Sequence, residues 1–292
     1  MRTRTNAISC FSLAVVCAGV LASCQKNIES KSSGSQTTKA SATKMASLQS
    51  LIAADDAIQL ELSVTPVTNS SNLDVPICSP TITYPDNPPG TYPYTEVRDW
   101  GTGCQNQGSG QVRRGRLITT FFVDSMSKVG SYYIQTYDNY YIDGIHIEGR
   151  AKVVHVERKS GEPQNVYHQV ARNRKLTQPN GDYIIFNSSK RLVNWDDDGQ
   201  EIVYLRRGYW RMTGITDGDA MESGVGYQFR DSIDVQNPLI YRYCDYVVKG
   251  KEFYDFTNQS SWEVDYGPNT CDDQADLTVD GTTTTITLPL EP

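Results

Sequence analysis

Ile145, Ile147, Ala151 and Val153 share one parity, while His146, Glu148, Arg150 and Lys152 take the other. Side chains on a strand point alternately to opposite faces, so this period of two predicts a strand with one buried and one wetted face. Val225, Tyr227, Phe229, Ile233 and Val235 repeat it against Gln228, Arg230, Ser232 and Asp234, with Asp231 as the one break in the series. So do Trp262, Val264 and Tyr266 against Ser261, Glu263 and Asp265, and Ala275, Leu277 and Val279 against Asp276, Thr278 and Asp280. The stretch LITTFFV, Leu117 to Val123, is apolar on both parities and predicts a central strand covered on both sides.

Pairs that suit tight hairpins stand among these runs: Asp143-Gly144, Asn180-Gly181, Asp198-Gly199, Asp217-Gly218 and Asp280-Gly281. Both central residues of a type I′ turn need positive φ, which Asn, Asp and Gly accept. The expected fold is all-β, an antiparallel meander of hairpins forming a sandwich or half-open barrel. Composition does not break between residues 73 and 292, so this span reads as a single β domain.

Upstream the period changes. MASLQSLIAADDAIQLEL places Leu48, Leu51, Ile52, Ile58 and Leu62 near helical spacing, which predicts one short N-terminal helix within a helix-and-connector segment, 45–72. Asp55, Asp56 and Glu61 argue for a helix packed on the domain rather than on anionic lipid. Residues 24–44 are rich in Ser, Thr and Lys, with Ile28 the only large apolar side chain. Such a segment buries too little to offset its ordering entropy and reads as a flexible tether.

Before the tether come Arg2, Arg4 and an apolar run of 15 residues, Ile8 to Ala22. Spanning a bilayer takes roughly 20 apolar residues, so residues 1–23 read as a signal peptide. The run ends in Leu21-Ala22-Ser23-Cys24, which resembles the lipobox of bacterial lipoproteins. The resemblance implies cleavage before Cys24, a diacylglyceryl group on its thiol and an acyl chain on the new amine. Three chains, at about 0.8 kcal/mol per buried methylene, make a stable anchor where one would be reversible.

This also resolves the cysteine count. Seven cysteines lose Cys10 and Cys17 with the signal and Cys24 to lipid, leaving Cys78, Cys104, Cys244 and Cys271. Four cysteines in an oxidising compartment allow three pairings. Spacings of 26 and 27 residues favour Cys78 with Cys104 and Cys244 with Cys271. Each such loop is worth roughly 3–4 kcal/mol in the chain-entropy model.

The formal charge is −7, and loss of Arg2 and Arg4 makes it more negative by two. Nucleic acid needs clustered Lys and Arg, so it is excluded as a partner. Asn194, Asp196 and Asp198 followed by Gly199 match the first half of a calcium loop, but Leu205 stands where the bidentate acid belongs, so an acidic hairpin tip is the plainer reading. His146, His155 and His168 lack zinc spacing, and no nucleophile elbow or phosphate loop occurs, so no catalytic residue is assigned. SYYIQTYDNYY, Ser131 to Tyr141, is rich enough in rings to stack on sugars, although tyrosine is also an ordinary strand residue. Asp124-Ser125-Met126 and Asp231-Ser232-Ile233 resemble the O-glycosylation sequon of Bacteroidota.

DWGTGC (Asp99 to Cys104), RRGRLITTFF (Arg113 to Phe122), TYDNYYIDGIHIEGRAKV (Thr136 to Val153), NPLIYRYC (Asn237 to Cys244) and VDYGPNTCDDQADLTVDGTTTTITL (Val264 to Leu288) together resemble a family of uncharacterised Bacteroidota lipoproteins. The resemblance implies a β body flanked by two cysteine regions and carries no activity. The expectation is a lipoprotein held at the outer membrane, periplasmic or surface-facing, whose non-catalytic β module binds an envelope protein or glycan. The alternative is a polysaccharide or lipid hydrolase with a spatially assembled carboxylate pair. A calcium-stabilised adhesin is a third reading.

Overall fold

The structure is a computed structural model and describes residues 48, 51, 80–105, 112–123, 128–158, 165–195, 209–242, 246–257 and 259–288. All of them belong to one compact unit, Ala46–Pro292. The signal peptide and the tether lie outside the described residues. Leu48 and Leu51 are helical and buried, so these two face protein rather than solvent.

The remaining described residues form one antiparallel sheet. Its strands are β1 (Thr81–Thr83), β2 (Tyr94–Asp99), β3 (Cys104–Gln105), β4 (Val112–Phe121), β5 (Tyr132–Ile142), β6 (Ile145–Arg158), β7 (Asn165–Thr177) and β8 (Tyr183–Trp195). They continue with β9 (Tyr209–Glu222), β10 (Val225–Ile233), β11 (Leu239–Arg242), β12 (Val247–Phe256), β13 (Trp262–Pro268), β14 (Gln274–Val279) and β15 (Thr282–Thr287). The path runs β1-β2-β4-β5-β6-β7-β8-β9-β10-β12-β13-β14-β15, with β3 on β4 and β11 between β9 and β12. A meander follows because nearly every connection is a local hairpin.

One face of this sheet is buried almost throughout. Glu96, Thr119, Gln135, Ala151, Ala171, Ser188, Thr216, Asp231, Tyr254 and Trp262 are successive cross-strand partners from β2 to β13, and every one is buried. A single face buried over so many strands requires the sheet to curl and cover itself, as a sandwich or half-open barrel does. The middle of the row is Ala, Ala, Ser and Thr, short side chains that leave room for that closure.

The curl has a local cause. Asn139 and Asn173 adopt left-handed φ of 48° and are each one residue extra relative to the strands on both sides. Opposite them stand Gly115 (φ +80°) and Gly149 (φ +103°). A Cβ on Gly115 would lie 1.9 Å from the Asn139 carbonyl oxygen, and one on Gly149 2.5 Å from that of Asn173. The bulge carbonyl thus fills the space the glycine leaves. Bulges of this kind bend and twist a sheet. Asn187 continues the line by accepting the Asn173 N–H at 3.0 Å.

Three expectations need correction. Asp217-Gly218 is not a turn: it lies inside β9, and the β9–β10 turn is Ser223-Gly224, with φ of 51° and 80°. Gly218 is small because the Ile185 carbonyl and the Phe186 and Phe229 side chains crowd it, with a Cβ placed 2.4 Å from that carbonyl oxygen. Asp231 does not interrupt the apolar parity of β10; it holds its place on the inner face, fully buried. The LITTFFV segment is sealed on one side only, at Leu117 and Thr119, because Ile118 and Phe122 on the other side are half-exposed; Val123, past the end of β4, is 43 % exposed.

Candidate functional site

The tyrosine-rich run Ser131 to Tyr141 divides between the two faces. Tyr133 and Tyr140 point inward and are buried, and Tyr137 stacks on Tyr140 at 5.8 Å. Tyr137 and Tyr140, three residues apart, could not share the inner face of a regular strand; the Asn139 bulge shifts the parity between them. Burial raises the Tyr133 phenol well above its ordinary value and pushes Tyr140 up to about 12. These rings are core.

Tyr132 and Tyr141 take the outer face and stay half-exposed. Phe122 stacks on Tyr132 at 4.8 Å, and Lys152 Nζ lies 4.2 Å from the same ring centre. Tyr141 stacks on His146 at 4.5 Å, with the Arg114 guanidinium 3.8 Å from its centre. On the next hairpin, Lys175 Nζ sits 5.0 Å from Tyr183. The outer side of β4 to β8 is therefore a set of three aromatic–cation rungs. Each contact of this kind contributes roughly 0.5–1 kcal/mol when exposed and more when a ligand excludes water. The rungs offer flat rings with fixed cations beside them.

The interior carries charge, and that charge is occupied in packing. The Arg174 guanidinium lies 4.4 Å from the Tyr137 ring centre and that of Arg113 lies 5.8 Å from Trp100. His155, fully buried, packs at a tilt against Tyr167 with ring centres 4.9 Å apart and places Nε2 3.1 Å from the Glu157 carbonyl. Tyr266 donates to Glu252 at 2.7 Å, and Arg98 Nε lies 2.5 Å from Glu96. Burial, with Glu252 and Asp231 nearby, holds the Tyr254 phenol well above its usual value. Groups packed this way support the core.

Exposed carboxylates on the outer face are engaged as well. Lys251 Nζ contacts Glu263 at 2.5 Å and Asp265 at 3.2 Å, hydrogen bonds that raise its own pKa. Arg230 faces Asp217 at 3.7 Å, and Arg116 pairs with Asp138. His168 Nε2 meets Ser189 Oγ at 2.9 Å. Among the described residues no group of three His, Cys, Asp or Glu is placed to hold a metal ion.

Of the residues singled out in the sequence, Cys24, Cys78, Cys244, Asp196, Asp198 and the Asp124-Ser125-Met126 triplet lie outside the described residues. Cys104 and Cys271 are disulfide-bonded. Asn194 falls in β8, opposite Trp210 of β9 and Asn165 of β7. In the second sequon-like triplet Ser232 is half-exposed, but its Asp231 is in the core, so the folded sheet does not present the triplet as a unit. Arg114, Lys152 and Lys175 were not singled out beforehand, because only strand register places them beside their rings. Comparison with models of known protein families found no match, and neither did comparisons with curated proteins or with solved structures.

Proposed function

We propose that the chain is a lipid-anchored lipoprotein of the outer membrane whose β domain is a non-catalytic module binding a partner protein or glycan. The outer face of β4 to β8 carries this reading: half-exposed Tyr132, Tyr141 and Tyr183, each with a cation beside the ring. Such rings suit stacking on a sugar or on a partner's side chains, and Tyr and Arg are enriched where interfaces form. The anchor rests on LASC at Cys24, the Bacteroidota family on the motifs quoted above.

Glycan arrays and envelope pull-downs with the mature chain test the binding, using Tyr132→Ala and Tyr141→Ala as matched variants. Binding that weakens at least tenfold in the variants supports the reading. No binding in either format, or equal binding by the variants, sinks it. Cys24→Ala is expected to move the protein out of the membrane fraction. Release of soluble sugars or fatty acids by the purified chain would favour the hydrolase alternative instead.

A further inference from the structure

The sheet ends in two very different edges. At one end β1 has three residues, with Pro80 before it and Pro85 just after. Short strands and prolines are how natural sheets prevent further pairing. At the other end β15 has six residues, TTTTIT, with five exposed and Ile286 half-buried. It contains neither a charge nor a proline, and among the described residues no strand pairs with its outer side.

The backbone groups it leaves free can be named. Asp280 and Gly281, with φ of 50° and 74°, form a two-residue turn, so the flanking Val279 and Thr282 are a hydrogen-bonded pair. Pair types alternate along an antiparallel ladder, which directs Thr282, Thr284 and Ile286 toward β14. Leu288 keeps that phase, donating to the Asp273 carbonyl at 2.6 Å. Thr283, Thr285 and Thr287 therefore aim their N–H and C=O groups away from the sheet.

Charge decides what fits there. The 41 residues after Lys251 hold nine carboxylates and no Lys, Arg or His. Asp272, Asp276 and Asp280 are exposed on or beside β14, the last strand before the edge. A second copy docked edge to edge would bring two such acidic borders together, and like charges across strands are destabilising. A cationic strand gains where a second copy loses. We infer that the free edge of β15 accepts an extended, Lys- or Arg-bearing segment of a partner protein as an added β-strand, with Thr283, Thr285 and Thr287 supplying the main-chain bonds. The inference does not rest on the aromatic rungs, which lie on β4 to β8.

The probe is a synthetic decapeptide of alternating Lys and Val, with a copy N-methylated at alternate residues as control. Binding to the full mature chain is followed by fluorescence anisotropy, and the β15 amides by hydrogen exchange. Saturable binding is expected, weakening several-fold as salt rises from roughly 50 to 500 mM. Exchange should slow at Thr283, Thr285 and Thr287, and the methylated peptide should not bind. Thr285→Pro removes an outward donor and leaves the main-chain bonds to β14, losing only the exposed Thr285 hydroxyl bond to Asp276, so it should keep the melting temperature within a few degrees and lose at least tenfold in affinity. Thr283→Lys, which keeps its donor and adds a like charge, is a second variant expected to weaken binding several-fold. Equal binding by either folded variant, or no binding at low salt, overturns the inference. So does protection of these three amides in the free protein: if independent of concentration, the chain covers its own edge; if it grows with concentration alongside a dimer in sedimentation, a second copy does. Tyr132→Ala leaves peptide binding unchanged, which separates this outcome from failure of the aromatic-face reading.

Discussion

Gly115→Ala should be among the most damaging single-methyl additions to this protein. Two costs add. At φ +80° an L side chain costs roughly 1–2 kcal/mol. The new Cβ would also stand 1.9 Å from the Asn139 carbonyl oxygen, 2.5 Å from its carbon and 2.9 Å from the Asp138 oxygen. Reaching ordinary contact needs a shift of more than about 1 Å in two bonded strands, and forcing atoms into a packed site costs typically 1–3 kcal/mol or more. The total is about 2–5 kcal/mol. Gly224 supplies the control, because its φ is also +80° but nothing lies within 4 Å of its Cβ position. Gly224→Ala should therefore cost only the first part, about 1–2 kcal/mol. Urea unfolding with disulfides intact reads both from the midpoint at constant slope. Deleting Asn139, the one extra residue on β5, should recover much of the loss in Gly115→Ala, since the pairing then runs on without a bulge. Equal losses for the two alanine variants would refute the steric account of the bend, and so would a deletion that makes Gly115→Ala worse.

Non-reducing peptide mapping of the mature protein should find Cys78 joined to Cys104 and Cys244 to Cys271. Thr81 pairs with Asp99 a few residues before Cys104, and Asn269 donates to the Val248 carbonyl at 2.9 Å, so the register brings each predicted pair of segments together. A crossed link such as Cys78 to Cys244 would refute it. Stability should hold to about pH 9 and fall above pH 10. Tyr133, Tyr140 and Tyr254 have raised pKa values through burial, so their contribution is fully present below the unfolded value of 10.0 and is lost as pH rises toward the folded ones. Each phenol that ionises only when unfolded removes about 1.4 kcal/mol per pH unit, about 4 kcal/mol for the three, and tyrosinate absorbance should appear together with loss of structure. Absorbance that rises while the sheet stays folded would contradict this. Melting in calcium and in chelator should coincide, as an acidic tip at Asn194, Asp196 and Asp198 requires; a rise of several degrees in calcium would restore the metal loop.

The inward series on β13 and β14, and on β10 from Tyr227 to Ile233, was legible because alternation reports one-sided burial directly; Val225 and Val235 share that parity but are 61 % and 71 % exposed, at and beyond the ends of the strand. Tyr227, Phe229, Trp262, Val264 and Leu277 keep the faces their parity implied. Parity failed where backbone geometry changes the count. Tyr137 and Tyr140 share a face only because Asn139 is extra, and Asn in a polar stretch does not announce a bulge. Asp217-Gly218 carries turn chemistry but sits in mid-strand, since Gly also serves where neighbouring backbone and rings come close. Asp231 reads as an interruption until the row from Thr216 to Tyr254 runs straight through it.

The sequence alone determined the β class, the meander of hairpins, the run after Lys251 that holds carboxylates and no cation, and the motif at Cys24, because each depends on neighbours within a few residues. Tertiary structure decided which rings became core and which became rungs beside Arg114, Lys152 and Lys175. It also decided that buried charge would be tied up in packing and that, among the described residues, no strand would pair with the outer side of β15. Those outcomes depend on register between strands far apart in the chain, set by paired bulges and closure of the whole sheet, and no local pattern of residues encodes them.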